Sequence, residues 1–206
     1  MKGLFITFEG IDGSGKTTQI KLLADHLKKK GLDVVTTREP GGTVIGDAIR
    51  SILLDPLNKG MSVRAETLLF QASRAEIVEK IITPAIDKGR IVICDRFFDS
   101  TIAYQGIARG LGIQTLMDMS LWATCGLVPD ITFLLAVDIN ACEKRMNAIL
   151  KAPDRIEFEE TSFKEKIQAG YLELAKLFKD RYVVLDGQQE ISEIFKSVKN
   201  KIEELL

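Results

Sequence analysis

Residues 4–8, LFITF, run straight into EGIDGSGKTT, and there Gly10, Gly15, Lys16 and Thr17 stand at the spacing of a phosphate-binding P-loop. Few folds are open to a chain with this motif. A strand, a glycine-rich turn and a helix must follow one another. The glycines let backbone N–H groups wrap phosphate oxygens, and the helix N-terminus adds a positive partial charge. The residues that follow read as a helix, so the motif has the context it needs. Gly10, Ile11, Asp12, Gly13, Ser14, Gly15, Lys16, Thr17 and Thr18 form the candidate nucleotide loop. Lys16 is expected to reach the terminal phosphates of a nucleoside triphosphate, and Thr17 to ligate Mg2+. Asp12 is the anomaly, since a carboxylate has no use facing a polyanion.

Beyond the loop, short apolar runs alternate with longer amphipathic ones, the pattern of a parallel sheet covered by helices on both faces. Strands are predicted over 4–8, 33–37, 90–95, 131–137 and 182–185. Helices are predicted over 16–30, 44–54, 65–88, 115–125, 140–149, 162–179 and 191–205. The strands are continuous Val, Ile, Leu and Phe rather than alternating, as expected where both faces are buried. The 206 residues, without repeat or low-complexity linker, point to one α/β domain spanning 1–206: a doubly wound five-stranded parallel sheet of P-loop NTPase type. In such sheets ligands sit beyond the carboxyl ends of the strands.

Composition narrows the partners. With 28 basic and 29 acidic side chains the net charge is -1, so neither a nucleic-acid backbone nor an anionic membrane is indicated. No stretch approaches the roughly 20 apolar residues that span a bilayer, and GLFITF is too short for an export signal. The protein is expected to be soluble and cytoplasmic. Cys94, Cys125 and Cys142, widely spaced and with His26 as the only histidine, read as reduced buried thiols.

Two further segments lie just past strand ends. In VICDRFFDST, residues 92–101, Asp95 closes an apolar strand where a carboxylate can hold Mg2+ through water, and Arg96 follows it. A nucleotide switch has no evident need for a guanidinium there. Two phosphate groups that must meet in line do need one, because its planar fork holds the second phosphate. In TREPGGT, residues 37–43, an open turn leaves Arg38 and Glu39 at the sheet edge, with Arg50 further along the next helix. A GTPase would also need an NKxD base reader, and Asn58-Lys59-Gly60 has no aspartate in place.

FEGIDGSGKTTQ, TREPGGT, LLFQASRAE, DRFFDSTIAYQGIARG and DRIE, in this order, resemble thymidylate kinase of the bacterial type over residues 3–175. The resemblance implies phosphoryl transfer from ATP to dTMP with Mg2+, by a homodimer with a short lid near 145–157. It implies that Phe70, four residues before Arg74 on one helix face, stacks on thymine while Arg74 donates to a base carbonyl. It further implies that Gln105 hydrogen-bonds the base, Tyr104 crowds the sugar C2′, and Ser100 and Thr101 line the base pocket. Arg96 would grip the acceptor phosphate, aided by Arg38 and Arg50, and Asp12 would accept from the sugar 3′-hydroxyl.

Catalysis of such a transfer is positioning plus cationic stabilisation, here by Lys16, Mg2+ held at Thr17 and Asp95, Arg96 and a lid cation. One branch of the family carries the lid arginine directly after the P-loop aspartate. Here that position is Gly13, which implies lid arginines instead, with Arg155 of DRIE, Arg145 beside the donor nucleotide and Lys151 as candidates. Two other readings remain at this point: a deoxynucleoside kinase, disfavoured by the cationic cluster, and a P-loop switch or regulatory ATPase.

Overall fold

The computed structural model describes residues 3–148, 154–156 and 159–206. Five strands, β1 (Phe5–Glu9), β2 (Val34–Arg38), β3 (Ile91–Asp95), β4 (Ile131–Ala136) and β5 (Tyr182–Asp186), form one sheet in the order β2-β3-β1-β4-β5, every pair parallel. Each strand matches its sequence expectation to within one residue at either end. The predicted doubly wound α/β fold is the observed one.

The connections run both ways across the sheet, which puts helices on both faces, since parallel crossovers share one hand. From β1 the chain passes through α1 (Lys16–Lys29) to β2, and the return toward β3, β4 and β5 carries the other crossover helices to the opposite face. Strand alternation then divides the core in two. Ile6 and Phe8 of β1 pack with Ile20, Leu23, Ala24 and Leu27 of α1 and with Ile194, Val198 and Ile202 of α9 (Ile191–Glu203). Phe5, Val92 and Cys94 point the other way, toward α3 (Val63–Ile77), α6 (Ile113–Ala123) and α8 (Thr161–Leu177). Glu9 shares Phe5's parity, and this decides where its carboxylate goes.

Helix α1 stops as the sequence predicted. Gly31 takes φ +81°, its N–H reaches the Lys28 carbonyl at 2.9 Å, and Leu32 N–H returns to Leu27 at 3.2 Å. This paired arrangement satisfies carbonyls that a helix end leaves open.

The predicted helix 65–88 is broken into three pieces. Between α3 and α4 (Thr83–Asp87) the chain widens into a π turn, Val78–Ile82. Pro84 has no N–H to give to a carbonyl one turn back, so the regular ladder cannot run through it. A second departure is an element the periodicity did not indicate: α5 (Phe98–Thr101) continues into a π segment, Ile102–Ala108, closed by a bond from Arg109 N–H to the Tyr104 carbonyl five residues back. Helix α7 (Ile139–Asn147) enters the predicted lid. Ile149, Leu150, Lys151 and Glu157 lie outside the described residues. No helix among the described residues is long and apolar enough to cross a membrane.

Candidate active site

Register brings the pieces of the site level with one another. Phe8 pairs with Asp95, and Asp95 with Arg38, so the P-loop, the DRF segment and the TREPGGT turn leave the sheet side by side. They open onto a cavity of about 740 Å³.

The loop takes its shape from glycines in the left-handed region, Gly10 at φ +135°, Gly13 at +82° and Gly15 at +100°. A Cβ on Gly13 would lie 2.6 Å from the Cys142 carbonyl oxygen of α7. The absence of an arginine there thus has a packing reason. Helix α1 starts with no side-chain cap, so its first N–H groups are left to the loop, as an anion requires. Lys16 Nζ donates to the carbonyls of Gly10 (2.9 Å) and Ile11 (3.1 Å) and stands 3.9 Å from Asp12. Burial, then the neighbouring Arg96 charge, hold its ammonium below the usual lysine range. Asp12 to Thr18 all line the cavity, whereas the Ile11 side chain is buried in the core.

Thr17 Oγ1 donates to Asp95 Oδ2 at 3.2 Å. Two hard oxygen ligands, one of them a carboxylate, at the mouth of a phosphate loop suit Mg2+, which keeps several waters and takes the rest of its shell from substrate phosphates. No cluster of three acidic, histidine or cysteine ligands exists among the described residues, so these two are the candidate metal ligands here.

Arg96 lies at the centre of a web. Its guanidinium donates to Asp12 Oδ1 (2.8 Å), Tyr171 Oη (3.0 Å) and Ser100 Oγ (3.2 Å), and stacks 5.5 Å from the Tyr104 ring centroid. Burial alone would lower its pKa; Asp12, Tyr104, Tyr171 and Glu9 outweigh that and raise it well above the usual value. Its backbone is in the left-handed region, φ +72°, unusual for any residue but glycine. Behind it Glu9, fully buried, accepts from Phe97 N–H (2.8 Å), Ser100 Oγ (2.6 Å) and Tyr171 Oη (2.9 Å). Burial, then the nearby Asp99 charge, push the Glu9 carboxyl up to about 7.

Arg38 and Arg50 line the same cavity. Arg38 donates to Asp47 at 3.1 Å, and Arg50 to the Pro40 carbonyl at 2.9 Å. Partial burial and the charge of Arg38 push Arg50 below its ordinary range. Six basic side chains, Lys16, Arg38, Arg50, Arg74, Arg96 and Arg145, line the cavity against four acidic ones, Asp12, Glu39, Asp95 and Asp154. A protein of net charge -1 has thus gathered an excess of positive charge here.

The wall away from the loop holds Phe70, Arg74, Thr101, Tyr104 and Gln105. Arg74 is only 1% exposed, and its N–H groups reach Glu39 (2.9 Å), Gln71 (2.9 Å) and Thr101 (2.9 Å). Glu39, expected at a surface edge, is buried as the counter-ion of Arg74. The π segment sets Tyr104 and Gln105, consecutive residues, against one cavity.

Among the lid arginines the structure separates two cases. Arg145 of α7 lies over the loop, donating to the carbonyls of Gly13 (3.2 Å) and Gly187 (3.1 Å). Arg155, expected to act on the phosphates, does not line the cavity. It is buried beneath, ion-paired with Glu66 at 2.6 Å and donating to the Leu53 carbonyl at 2.7 Å. A buried carboxylate needs a counter-charge more than a surface phosphate site does, and Glu66 has captured this one. Glu9, Glu66 and Tyr171 are site residues that sequence reasoning did not single out. The available signal for Glu9 was a charge ending an otherwise apolar strand.

Comparison with known proteins decides the family. The thymidylate kinase family model matches residues 8–198. The chain belongs to the thymidylate kinase family. It is 48% identical over 206 residues to the thymidylate kinase of Caldanaerobacter subterraneus subsp. tengcongensis, covering all of this chain and 98% of that one. It is 46% identical over 191 residues to that of Exiguobacterium sp. AT1b, covering 93% and 90%, and 45% identical over 203 residues to that of Thermosipho melanesiensis, covering 98% and 99%. The chain is therefore an enzyme, a kinase.

Proposed function

We propose that the enzyme transfers the terminal phosphoryl group of ATP to the phosphate of dTMP, giving ADP and dTDP. The observation that carries this reading is the placement of Arg96, with Arg38 and Arg50, across Asp12 from Lys16: two cationic half-sites facing one cavity, one for each phosphate chain. An unphosphorylated acceptor would leave the second half-site without a partner.

In the transfer, an anionic oxygen of the dTMP phosphate attacks the terminal phosphorus in line while the bond to the bridging oxygen breaks and its electrons leave with ADP. The acceptor oxygen is already ionised near neutral pH, so no general base is required. The protein supplies alignment and charge. Lys16 leaves its carbonyl partners for the donor phosphates, and Arg96 holds the acceptor phosphate. Asp12 turns Arg96 and accepts from the sugar hydroxyl, while Arg145 covers the donor nucleotide. Mg2+, held by Thr17 and Asp95, would neutralise donor phosphate charge. Phe70 packs on the base, and Arg74 and Gln105 meet its polar edge.

The reading extends to a cytoplasmic homodimer without nucleic-acid partners. Leu68 of α3 and Trp122 of α6, 59% and 83% exposed, support self-association through these helices. Free cysteines support a reducing compartment. The test is a coupled ADP-release assay across nucleoside monophosphates and thymidine. dTMP should be the best acceptor; a purine monophosphate or thymidine in that place would overturn the assignment.

A further inference from the structure

Beneath the base-binding wall lies a carboxylate the transfer itself does not use. Glu66, near the start of α3, is 1% exposed. Its Oε1 accepts from Gln105 Nε2 at 2.9 Å and from Arg109 Nε at 2.8 Å. Its Oε2 accepts from Arg109 Nη2 at 3.2 Å and is ion-paired with Arg155 at 2.6 Å. Burial would raise its pKa, but hydrogen bonds from Gln105, Arg109 and Arg155 outweigh burial and hold the carboxyl below its ordinary range. Ionised, Glu66 can only accept.

That fixes the neighbour. A glutamine amide is almost symmetric in shape and can present either its oxygen or its nitrogen by turning over. Against an ionised carboxylate only one orientation is allowed, because the other sets oxygen against oxygen. With its nitrogen committed to Glu66, Gln105 has its carbonyl oxygen to offer the cavity it lines.

Arg74 completes the pattern. Of its five N–H groups, Nε goes to Glu39, one on Nη2 to Thr101 and one on Nη1 to Gln71, with Nη2 also ion-paired to Glu39, so Nη1 keeps a second N–H to donate. Gln105 thus offers the cavity an acceptor and Arg74 a donor.

We infer that Glu66 is a specificity-determining positioning residue: it locks the polarity of Gln105 so that the wall accepts thymine and rejects cytosine. Thymine presents an N3–H donor and an O4 acceptor to such a pair; cytosine presents an acceptor and a donor, and both contacts fail. Sites built to hydrogen-bond a substrate reject the mismatched analogue strongly, because buried polar groups are then left unpaired.

This rests on the proposed dTMP kinase activity, and the test separates the two. In the wild-type enzyme the kcat/KM ratio for dTMP over dCMP should be large; an enzyme without that preference would sink the function, not merely this mechanism. In Glu66→Gln the neighbouring amide is free to turn over, and the ratio should fall by at least about tenfold while KM for ATP stays within about twofold. A merely structural defect lowers both acceptors alike. A folded Glu66→Gln enzyme with the wild-type ratio overturns the inference.

The exchange Glu66→Gln with Gln105→Glu keeps one carboxylate in the pair and again leaves only an acceptor at 105. It should hold the ratio within about threefold of wild type, and this decides the matter even if the single variant does not fold. Loss of discrimination in the exchanged enzyme would equally overturn the inference.

Discussion

Replacing Glu9 by glutamine should make the protein more stable as the pH rises. The carboxyl sits at about 7 in the folded chain against 4.5 ordinarily, so between those values the native state holds a proton that the unfolded chain has lost. Native stability contributed by this group is therefore present below about pH 4.5 and is lost as pH rises to 7. Two and a half pH units at 1.36 kcal/mol each give about 3 kcal/mol. Glutamine carries no charge and can keep the local contacts: its oxygen accepts from Phe97 N–H, and its nitrogen donates to Tyr171 or Ser100, whose hydroxyls can turn.

The measurement is urea unfolding of both proteins at pH 4.5 and pH 8, followed by circular dichroism. Titrating groups that do not interact with Glu9 cancel in the difference. Near pH 4.5 the two curves should differ by less than about 1 kcal/mol, and at pH 8 the variant should be more stable by about 3 kcal/mol. A stability gap of the same size at both values would refute the claim that buried charge, rather than shape, sets the behaviour of Glu9.

Other substitutions probe separate parts of the site. Asp12→Ala removes a charged acceptor worth about 1.5–3 kcal/mol, so kcat/KM for dTMP should fall roughly 10- to 100-fold with KM for ATP nearly unchanged in steady-state assays. A selective loss of ATP affinity would assign Asp12 to loop shape instead. Gly13→Ala meets the Cys142 carbonyl at 2.6 Å in a backbone that disfavours side chains. It should lower the midpoint in a thermal melt by several degrees and weaken ATP binding; an unaltered melt would mean that α7 gives way freely. Cys125 is exposed while Cys94 and Cys142 are buried, with burial pushing both buried thiols up. One thiol should therefore react promptly with an aromatic disulfide reagent in the native enzyme, with the other two waiting for denaturant. The expectation that all three were buried is corrected for Cys125.

Much of the phosphate loop and the sheet behind it was legible because it is local. Five apolar runs, the glycine spacing and the stop at Gly31 each act within a few residues, and the sheet assembled from them in one order. The cavity wall away from the loop depends on partners distant in sequence. Residues 98–108 form helix despite Ser100, Thr101 and Gly106, which propensity disfavours, because the segment is packed against α6 and α8. Arg155 reads as a lid cation from its motif, yet Glu66, 89 positions earlier, determines where it goes. Glu9 follows directly on the predicted first strand, and its burial comes from the alternation of β1 and the return of Tyr171 from α8. The family resemblance named the residues at the base wall but not the carboxylate behind them.

Arg96 combines a left-handed backbone with a guanidinium held by Asp12, Ser100 and Tyr171. Glycine at this position would relieve the chain of about 1 kcal/mol of torsional cost but would strip Asp12, Ser100 and Tyr171 of the donor they share. That loss outweighs the torsional gain, so selection for heat resistance alone would hold the arginine in place. Laboratory evolution on a folding reporter should therefore keep arginine at position 96, and a glycine recovered there would show that the torsion outweighs the web around it.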